Sequence, residues 1–501
     1  MKKHLKKYII IIIFAVLAIT ITGFILLNIR NRNRQAEESV SYEEITMVLP
    51  TYGYVPENID SITEALNRIS MEKCGVRVNY LYTGSTELNQ SLLLRLKAGE
   101  VIDLMPCLEE NGLVTLMNEN LLTPLGELIH THAPQIETLF YSKIWEALGR
   151  DGEIYALSAI GSQSDWGGIL FTGEVLNAGG ITADSITSEI RESSGNDVER
   201  VDTVISPVLY RLKESETQLP DGSYVSEKQL APGIYDYGGI FSQLPVIHYC
   251  GYGNSLGVVM DGTDQVINLY ETQEYRQELE LLKRWNDAGY IYHINTLIDE
   301  DPATVYGGRD RIGLFTSLGV KVDRPYEVIE MGNDLYFPFI RNKLTTDKFR
   351  IGTWAIPRTS LHPEAAMKIL NLMYTDEEYV RTYNFGPEFV ETNEMPLVWL
   401  FGNTLLTEKT FEESLKEQED YKNVEFADYF GFTYDSAAYQ DEIAALQAVL
   451  DEYMPDLENG IIGDVEKTLE EMNGKLYDAG LQSVMQDKQM QLDQWIADHA
   501  E

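Results

Sequence analysis

The chain is short of cysteine, histidine and basic residues, and each scarcity excludes something. Three cysteines, Cys74, Cys107 and Cys250, cannot build a disulfide framework, and none forms a CxxC pair for zinc or redox work. One bridge among them would be possible without being assignable, and buried free thiols are the expectation. The seven histidines are scattered, with no HExxH. His130 and His132 are the one close pair, and two residues apart they fall on different sides of a helix, as its solvated end. No EF-hand loop is present, and GYGNSLG (251–257) misses the last spacing of a GxGxxG phosphate loop and reads as a turn. Neither a metal nor a cofactor is expected.

Positive charge is the next shortage: 39 basic residues face 79 acidic ones, a formal charge of −40. Lys2, Lys3, Lys6, Lys7, Arg30, Arg32 and Arg34 all precede the first acid, Glu37, so the remainder is more acidic still. Such a surface repels phosphate backbones, and nucleic acid is not expected as a partner. Phenylalanine is outnumbered too, with 16 Phe against 30 Tyr and 6 Trp. Tyr and Trp join a flat apolar face to a hydrogen-bonding edge, which suits sugar rings. The acids themselves do not argue for glycoside hydrolysis. That chemistry needs two carboxylates roughly 5 to 10 Å apart, and so acidic a chain supplies many such pairs by chance.

One long hydrophobic run is present. Residues 8–27, YIIIIIFAVLAITITGFILL, carry no charge and at about 1.5 Å per residue can cross a hydrocarbon core of roughly 30 Å. The run exceeds the roughly 7 to 15 residues of a cleaved signal core, and no Ala-x-Ala site is evident after it. The expectation is a retained N-terminal transmembrane helix within residues 1–28. The basic residues place its N-terminus inside and the large domain outside the cell. Residues 29–43 are polar and aperiodic, and read as a linker.

The folded part opens with the strand-like ITMVLP and the aromatic loop TYGYVPEN. Ile59, Ile62, Leu66 and Ile69 then recur at three- and four-residue steps as one helix face, and VRVNYLY alternates as a strand. Strand, helix and strand in quick succession make a βαβ unit and hence a parallel sheet. Helical SLLLRLKAG, strand-like VIDLMP, one long helix NGLVTLMNENLLTPLGELIHTHAP and the turn-strand pair GRDGEIYALSAI continue an α/β lobe. Further on, NSLGVVMDGTDQVINLYE reads as a hairpin turning near DGTD, and TQEYRQELELLKRWNDAGY as a helix stopped by Gly289. DRIGLFTSLGV and RIGTWAIP are strands, and HPEAAMKILNLMYTDEEY is a helix. The tail is helical, with stripes of Ile443, Leu446, Leu450 and Tyr453 and of Val465, Leu469, Met472 and Leu476.

AGEVIDLMP, DGEIYAL and IPRTSLHPEAAMKILNLMYTDEEY resemble passages of the extracellular solute-binding proteins of ABC importers. WLFGNTLL, GFTYDSAAYQDEIAALQAVLDEYMPDLENG and LYDAGLQSVMQDKQMQLDQWI resemble, more narrowly, a carbohydrate-type, lipoprotein-like branch with a distinctive C-terminal helical region. The likeness covers most of residues 44–501. It implies an α/β, two-lobed fold of the periplasmic-binding-protein type (type II), closing by a hinge, with extra C-terminal helices. Lobe 1 would comprise residues 44–160 and 322–356. Lobe 2 would comprise residues 161–321 and 357–501, with crossings near residues 159–165, 320–326 and 355–360. The implied function is capture of a sugar or oligosaccharide by a membrane-tethered monomer, which delivers it to ABC permease subunits. No enzyme activity is implied.

Carried onto this chain, the resemblance puts ligand contacts at Tyr52 and Tyr54 after the first strand and at Cys107 and Glu109 after VIDLM. It adds Gln163, Asp165 and Trp166 at the first crossing, Tyr249 and Tyr252 before the hairpin, Trp354 at the last crossing, and Trp399 and Asn403 in WLFGN. Ring stacking is expected of Trp166, Tyr54 and Trp354, and hydroxyl recognition of Asp165, Gln163 and Glu109. The chain departs from the branch twice. NFGPEFVETNEMPLVWLFGN is short, which removes loop material near the expected cleft, and ITGF stands where relatives carry a lipidated cysteine. Two other functions share part of this pattern: a ligand-sensing ectodomain for a signalling partner, which would have the same fold, and a glycoside hydrolase, which glycan turnover would reveal.

Overall fold

The computed structural model describes residues 42–51, 58–84, 88–108, 110–150, 152–161, 165–231, 256–260, 262–291, 311–318, 328–388 and 402–499. The apolar run 8–27 lies outside the described residues, and among them no helix is long and apolar enough to cross a membrane. Down the chain come β1 (Glu43–Thr51), α1 (Ile59–Cys74), β2 (Val76–Gly84), α2 (Leu88–Lys97), β3 (Met105–Cys107), α3 (Glu110–Asn118), α4 (Gly126–His132) and β4 (Ala156–Leu157). They are followed by β5 (Asp165–Thr172), α5 (Asp197–Lys213), β6 (Gln229–Ala231), α6 (Gln273–Asp287), β7 (Arg311–Leu318), β8 (Ile329–Met331) and β9 (Asp334–Asn342). Last come β10 (Thr353–Ala355), α7 (Pro363–Thr375), α8 (Glu377–Phe385), α9 (Gln440–Glu458), α10 (Val465–Asp478) and α11 (Leu481–His499).

The first lobe grows from β1. Alternation along it sends Ile45, Met47 and Leu49 into one core and Val48 into another, so both faces of the sheet need cover. α1 covers the first face with Ile59, Ile62, Leu66 and Ile69, the stripe read from the sequence. It stops at Gly75, whose left-handed φ of 70° lets its N–H reach back to Met71 and Ser70. β2 then pairs with β1 in parallel, Ile45 opposite Val78. A parallel bridge from Met47 to Leu104 brings in β3, and β10 and β4 add antiparallel strands in the order β2-β1-β3-β10-β4. α2 and α3 cover the second face.

The second lobe is a mixed sheet in the order β8-β9-β5-β7-β6, with β5 antiparallel to both β7 and β9. α5 and α6 pack on it through Val201, Ile205, Leu209, Leu279, Leu282 and Trp285. Helices α9 to α11 share that core through Leu446, Leu469, Met472, Leu476 and Leu492. Gly460, at φ 67°, fits the α9–α10 turn against α6: a Cβ there would stand 2.5 Å from the Leu282 carbonyl oxygen. The hairpin around DGTD forms as expected, Val258–Val259 against Val266–Ile267.

Three expectations are corrected. The long helix NGLVTLMNENLLTPLGELIHTHAP is broken: α3 ends at Asn118, Asn120 turns left-handed at φ 54°, Leu122 bridges to Pro357, and α4 starts at Gly126. HPEAAMKILNLMYTDEEY also breaks, at Asp376, whose carboxylate accepts from the Tyr379 N–H and starts α8. The lobe boundaries differ as well. α7 buries Ala365, Ile369, Leu370 and Met373 in the same core as Ile45 and Leu66, and that core continues to Phe430. β9 belongs to the second sheet. Among the described residues, lobe 1 therefore takes those within 42–160 and 344–430, and lobe 2 those within 165–342 and 432–499. α7 is apolar around most of its circumference, and only a site between a sheet and other helices buries such a helix fully. Of the expected first crossing, 159–165, residues 162–164 lie outside the described residues; Ile160 is the last residue before them in the first core, and the second sheet begins at Asp165. The other two fall near residues 342–344 and 430–432; the expected crossing at 320–326 lies outside the described residues.

Where α6 meets the end of α9, burial and the neighbouring Glu458 push the Glu278 carboxyl up to about 8 from its ordinary 4.5. The folded chain thus keeps a proton that the unfolded chain releases near pH 4.5. Folding stability is fully present below that pH and declines by roughly 1 kcal/mol per pH unit until Glu278 ionises near pH 8. Glu278→Gln should remove this slope, so that thermal melts across the window show the variant gaining on the wild type as pH rises.

Candidate functional site

The parallel pairing of β1, β2 and Leu104 sends the ends of β1, β2 and β3, at Thr51, Gly84 and Cys107, to one edge of the first sheet. β10 starts at that edge, with Thr353 opposite Cys107, and β4 ends there, with Leu157 beside Trp354. In the second sheet, Asp165 at the start of β5 pairs with Asn342 at the end of β9, and Trp166 pairs with Leu318 at the end of β7. The first edge at Leu157 and the second edge at Asp165 are linked by the short stretch 158–164, and the chain passes back from Asn342 on the second edge to Leu344 in the first lobe. Open α/β sheets hold ligands outside the carboxyl ends of their strands, and this is the candidate site.

Asp165 and Trp166 occupy the first two positions of β5, on the second edge. Tyr52, Tyr54, Glu109, Gln163, Tyr249, Tyr252 and Trp399 lie outside the described residues; Thr51 and Leu108, which precede the first and third of these, stand on the first edge. Three expected contacts are buried instead. Cys107 is 0 % exposed, packed with Val48, Leu92 and Leu113, and burial pushes its thiol up to about 12. The Trp354 ring is 1 % exposed in the core with Leu104 and Leu157 and offers no face for stacking. Asn403 is also enclosed, its Nδ2 donating to the Tyr374 carbonyl (3.1 Å) and to Ser414 Oγ (3.0 Å). The physical cause for Cys107 and Trp354 is that β3 and β10 are inner strands of a sheet covered on both faces, so even a residue at a strand end points into packing.

Gly402 and Thr404 clamp the first crossing. Ile160 N–H donates to the Gly402 carbonyl (2.7 Å), and Thr404 donates back to the Ile160 carbonyl through its N–H (3.0 Å) and its hydroxyl (2.7 Å). The Tyr374 hydroxyl lies within hydrogen-bond reach of the carbonyls of Leu157 (3.1 Å) and Ser158 (2.8 Å). Asp103, which the sequence reading passed over, fixes the first edge from behind. Its carboxylate accepts from Thr46 N–H (2.8 Å), Ser360 Oγ (2.7 Å), Leu361 N–H (3.1 Å) and His362 N–H (3.3 Å), tying β1 to the start of α7. Its signal was visible: a lone acid inside the apolar run VIDLM.

The remaining chemistry is negative. His130 is exposed on the last turn of α4 and pairs with Glu137 at 3.2 Å, the solvated helix end expected. No group of three or more His, Cys, Asp or Glu among the described residues is placed to hold a metal. Residues 253–257, GNSLG, do carry the GxSxG spacing of a hydrolase nucleophile, which the sequence reading missed. The elbow requires a helix after the motif, and here Gly257 leads into the strand Val258–Val259. Cys74 and Cys107 are free, as expected, and Cys250 lies outside the described residues.

Residues 428–497 match the family described as a domain of unknown function (DUF3502). Over 508 aligned residues the chain is 22 % identical to a carbohydrate ABC transporter substrate-binding protein of Streptococcus pneumoniae serotype 4 (strain ATCC BAA-334 / TIGR4), covering 94 % of each chain. Its fold is similar to that of the N-glycan transport solute binding protein (NgtS) from Streptococcus pneumoniae, with a TM-score of 0.69 at 18 % identity over 91 % of this chain and 99 % of that one. The complex of NgtS with Man1GlcNAc matches at 0.68 and 17 % identity, over 91 % and 100 % of the two chains. An extracellular solute-binding protein from Bifidobacterium longum subsp. infantis matches at 0.55 and 13 % identity, over 91 % and 98 %. The fold is that of the extracellular solute-binding proteins. The resemblance to the solute-binding proteins of ABC importers holds over nearly the whole chain, and the relatives matched are binding proteins rather than enzymes.

Burial makes two separable predictions. Alkylation of the native protein at pH 8, read by peptide mass spectrometry, should leave Cys107 unmodified until denaturant is added. Trp354→Ala should cost about 3 to 5 kcal/mol of folding stability by urea titration, as loss of a core aromatic does; a loss below about 1 kcal/mol would mean that the ring is not packed as described.

Proposed function

We propose that the chain captures a carbohydrate, of mono- to oligosaccharide size, between the facing edges of its two sheets and hands it to the permease subunits of an ABC importer. The observation that supports this reading is the topology: two separately cored α/β lobes whose strand edges are linked by short stretches of chain, a construction that permits hinge closure around a ligand. NgtS, of similar fold, is crystallised with Man1GlcNAc, which supports a sugar as the ligand class. Tyr54 and Trp166 are assigned to ring stacking, and Asp165, Gln163 and Glu109 to hydroxyl recognition. Tyr52, Tyr249, Tyr252 and Trp399 complete the proposed set. Cys107, Trp354 and Asn403 are left out of it, being buried. Residues 8–27 are read as a membrane anchor holding a monomeric binding domain outside the cell, on the strength of their length and lack of charge.

The test is calorimetry and thermal shift of the full chain in lipid nanodiscs against mono- and oligosaccharides and peptides. A sugar at 100 times its dissociation constant should stabilise by about 2.7 kcal/mol, and Trp166→Ala should weaken it more than about tenfold. Stabilisation by a peptide and by no sugar would overturn the ligand class, and release of reducing ends would overturn the binding reading. For the anchor, the mature chain should stay in the membrane fraction through carbonate washing; an N-terminus downstream of Gly23 would remove the anchor.

A further inference from the structure

After Phe430 the chain enters the second lobe through GFTYD, residues 431–435, and successive residues of this run are held by opposite lobes. Phe432 and Tyr434 are buried in the second lobe's core. The Gly431 backbone and the Thr433 and Asp435 side chains are held by the first lobe. Gly431 N–H donates to Thr346 Oγ1 at 2.8 Å. The fully buried Arg350 donates through Nη2 to Thr433 Oγ1 at 2.5 Å and through Nε to the Ala147 carbonyl at 2.8 Å. Asn118, at the end of α3, donates to Asp435 Oδ1 at 3.2 Å, and Arg150 in turn donates to Asn118 Oδ1 at 2.6 Å. After the turn at Gly431, the side chains of Phe432, Thr433, Tyr434 and Asp435 go alternately to the second and the first lobe.

The C-terminal helices grip the same run from the second lobe. Gln491 of α11 takes both backbone groups of Asp435: its Oε1 accepts from the N–H at 2.8 Å, and its Nε2 donates to the carbonyl at 2.9 Å. Lys488, also on α11, lies over the Tyr434 ring at 5.7 Å and donates to the Gly257 carbonyl at 2.7 Å. These contacts all fall inside or against the region that matches the domain of unknown function, residues 428–497.

We propose that residues 431–435 stitch the two lobes together, and that the C-terminal helical region serves to hold this stitch and so to set the angle at which the two strand edges face each other. The inference rests on the hinge reading above and deepens it. The region then contributes to ligand capture without touching ligand, and Thr433 and Gln491 are positioning residues. With the stitch intact the ligand-free lobes keep to a narrow range of angles. Without it they spread over more angles, and apparent affinity falls by the fraction of molecules no longer competent to bind.

The experiment is single-molecule energy transfer on the full chain in nanodiscs, with dyes on genetically encoded ketone side chains replacing exposed Glu72 in lobe 1 and exposed Glu192 in lobe 2. In the absence of ligand, Thr433→Val and Gln491→Ala should broaden or shift the distance distribution, while Thr433→Ser, which keeps the hydroxyl, should leave it as in the wild type. Affinity for the best glycan should fall about three- to fivefold in the first two variants and stay within about twofold for the serine variant. Distributions unchanged in both Thr433→Val and Gln491→Ala would overturn the stitch. Should Thr433→Val fail to fold, Gln491→Ala on its half-buried helix position decides alone. A wild type that binds no glycan would defeat the sugar reading, while the ligand-free distances would still decide the stitch.

Discussion

β1 pairs in parallel on both of its sides, with β2 along its whole length and with Leu104 at Met47, and the rest of the arrangement depends on that. Parallel neighbours deliver all their carboxyl ends to the same edge, and each crossover returns the chain to the opposite edge, as α1 does at Gly75, before the next strand begins. Had either neighbour been antiparallel, half of the strand ends in the first lobe would have emerged on the far side. Asp103 reinforces the constraint, because one carboxylate bonds to the β1 backbone and to the start of α7 together.

Much of this was legible in the sequence wherever periodicity ran undisturbed. The three- and four-residue spacing of Ile59, Ile62, Leu66 and Ile69 gave α1, and the stripe Val465, Leu469, Met472, Leu476 gave α10 with Gly474 inside it. Legibility failed where one residue outweighed the pattern. Asn120 and Asp376 each interrupt an apolar periodicity that continues on both sides, because a left-handed turn or a capping carboxylate decides backbone direction without altering hydrophobic spacing. α7 was placed in the wrong lobe because a helix apolar on nearly every side says that it is enclosed, not by what.

The site was harder to read for a different reason. A count of tyrosine and tryptophan does not separate rings that meet ligand from rings that pack. Trp285, Trp354, Tyr270, Tyr374, Tyr379 and Tyr383 are all buried, and Tyr374 spends its hydroxyl on the carbonyls of Leu157 and Ser158. A polar aromatic is as useful to a hinge as to a sugar, since both need an apolar body with a hydrogen-bonding tip. The third crossing shows the same use of rings: Tyr141, Phe349, Tyr421, Phe426 and Phe430 pack there, with the Lys143 ammonium over the rings of Phe426 and Phe430 at 5.3 and 5.8 Å.

The second and third crossings do not run separately. Leu344 N–H donates to the Glu425 carbonyl at 2.8 Å and Ala427 N–H to the Leu344 carbonyl at 2.9 Å, so the two segments form a ribbon, while the first crossing is braced elsewhere by Gly402 and Thr404. Two rigid bodies joined at one point can swivel freely; joined at two separated supports, they keep a single axis of rotation. A door on two hinges has one degree of freedom, and its latch edge returns to the same place each time it swings. If the lobes turn on these supports as proposed, solutes of different length would be met by how far the chain turns, not by twisting to suit them.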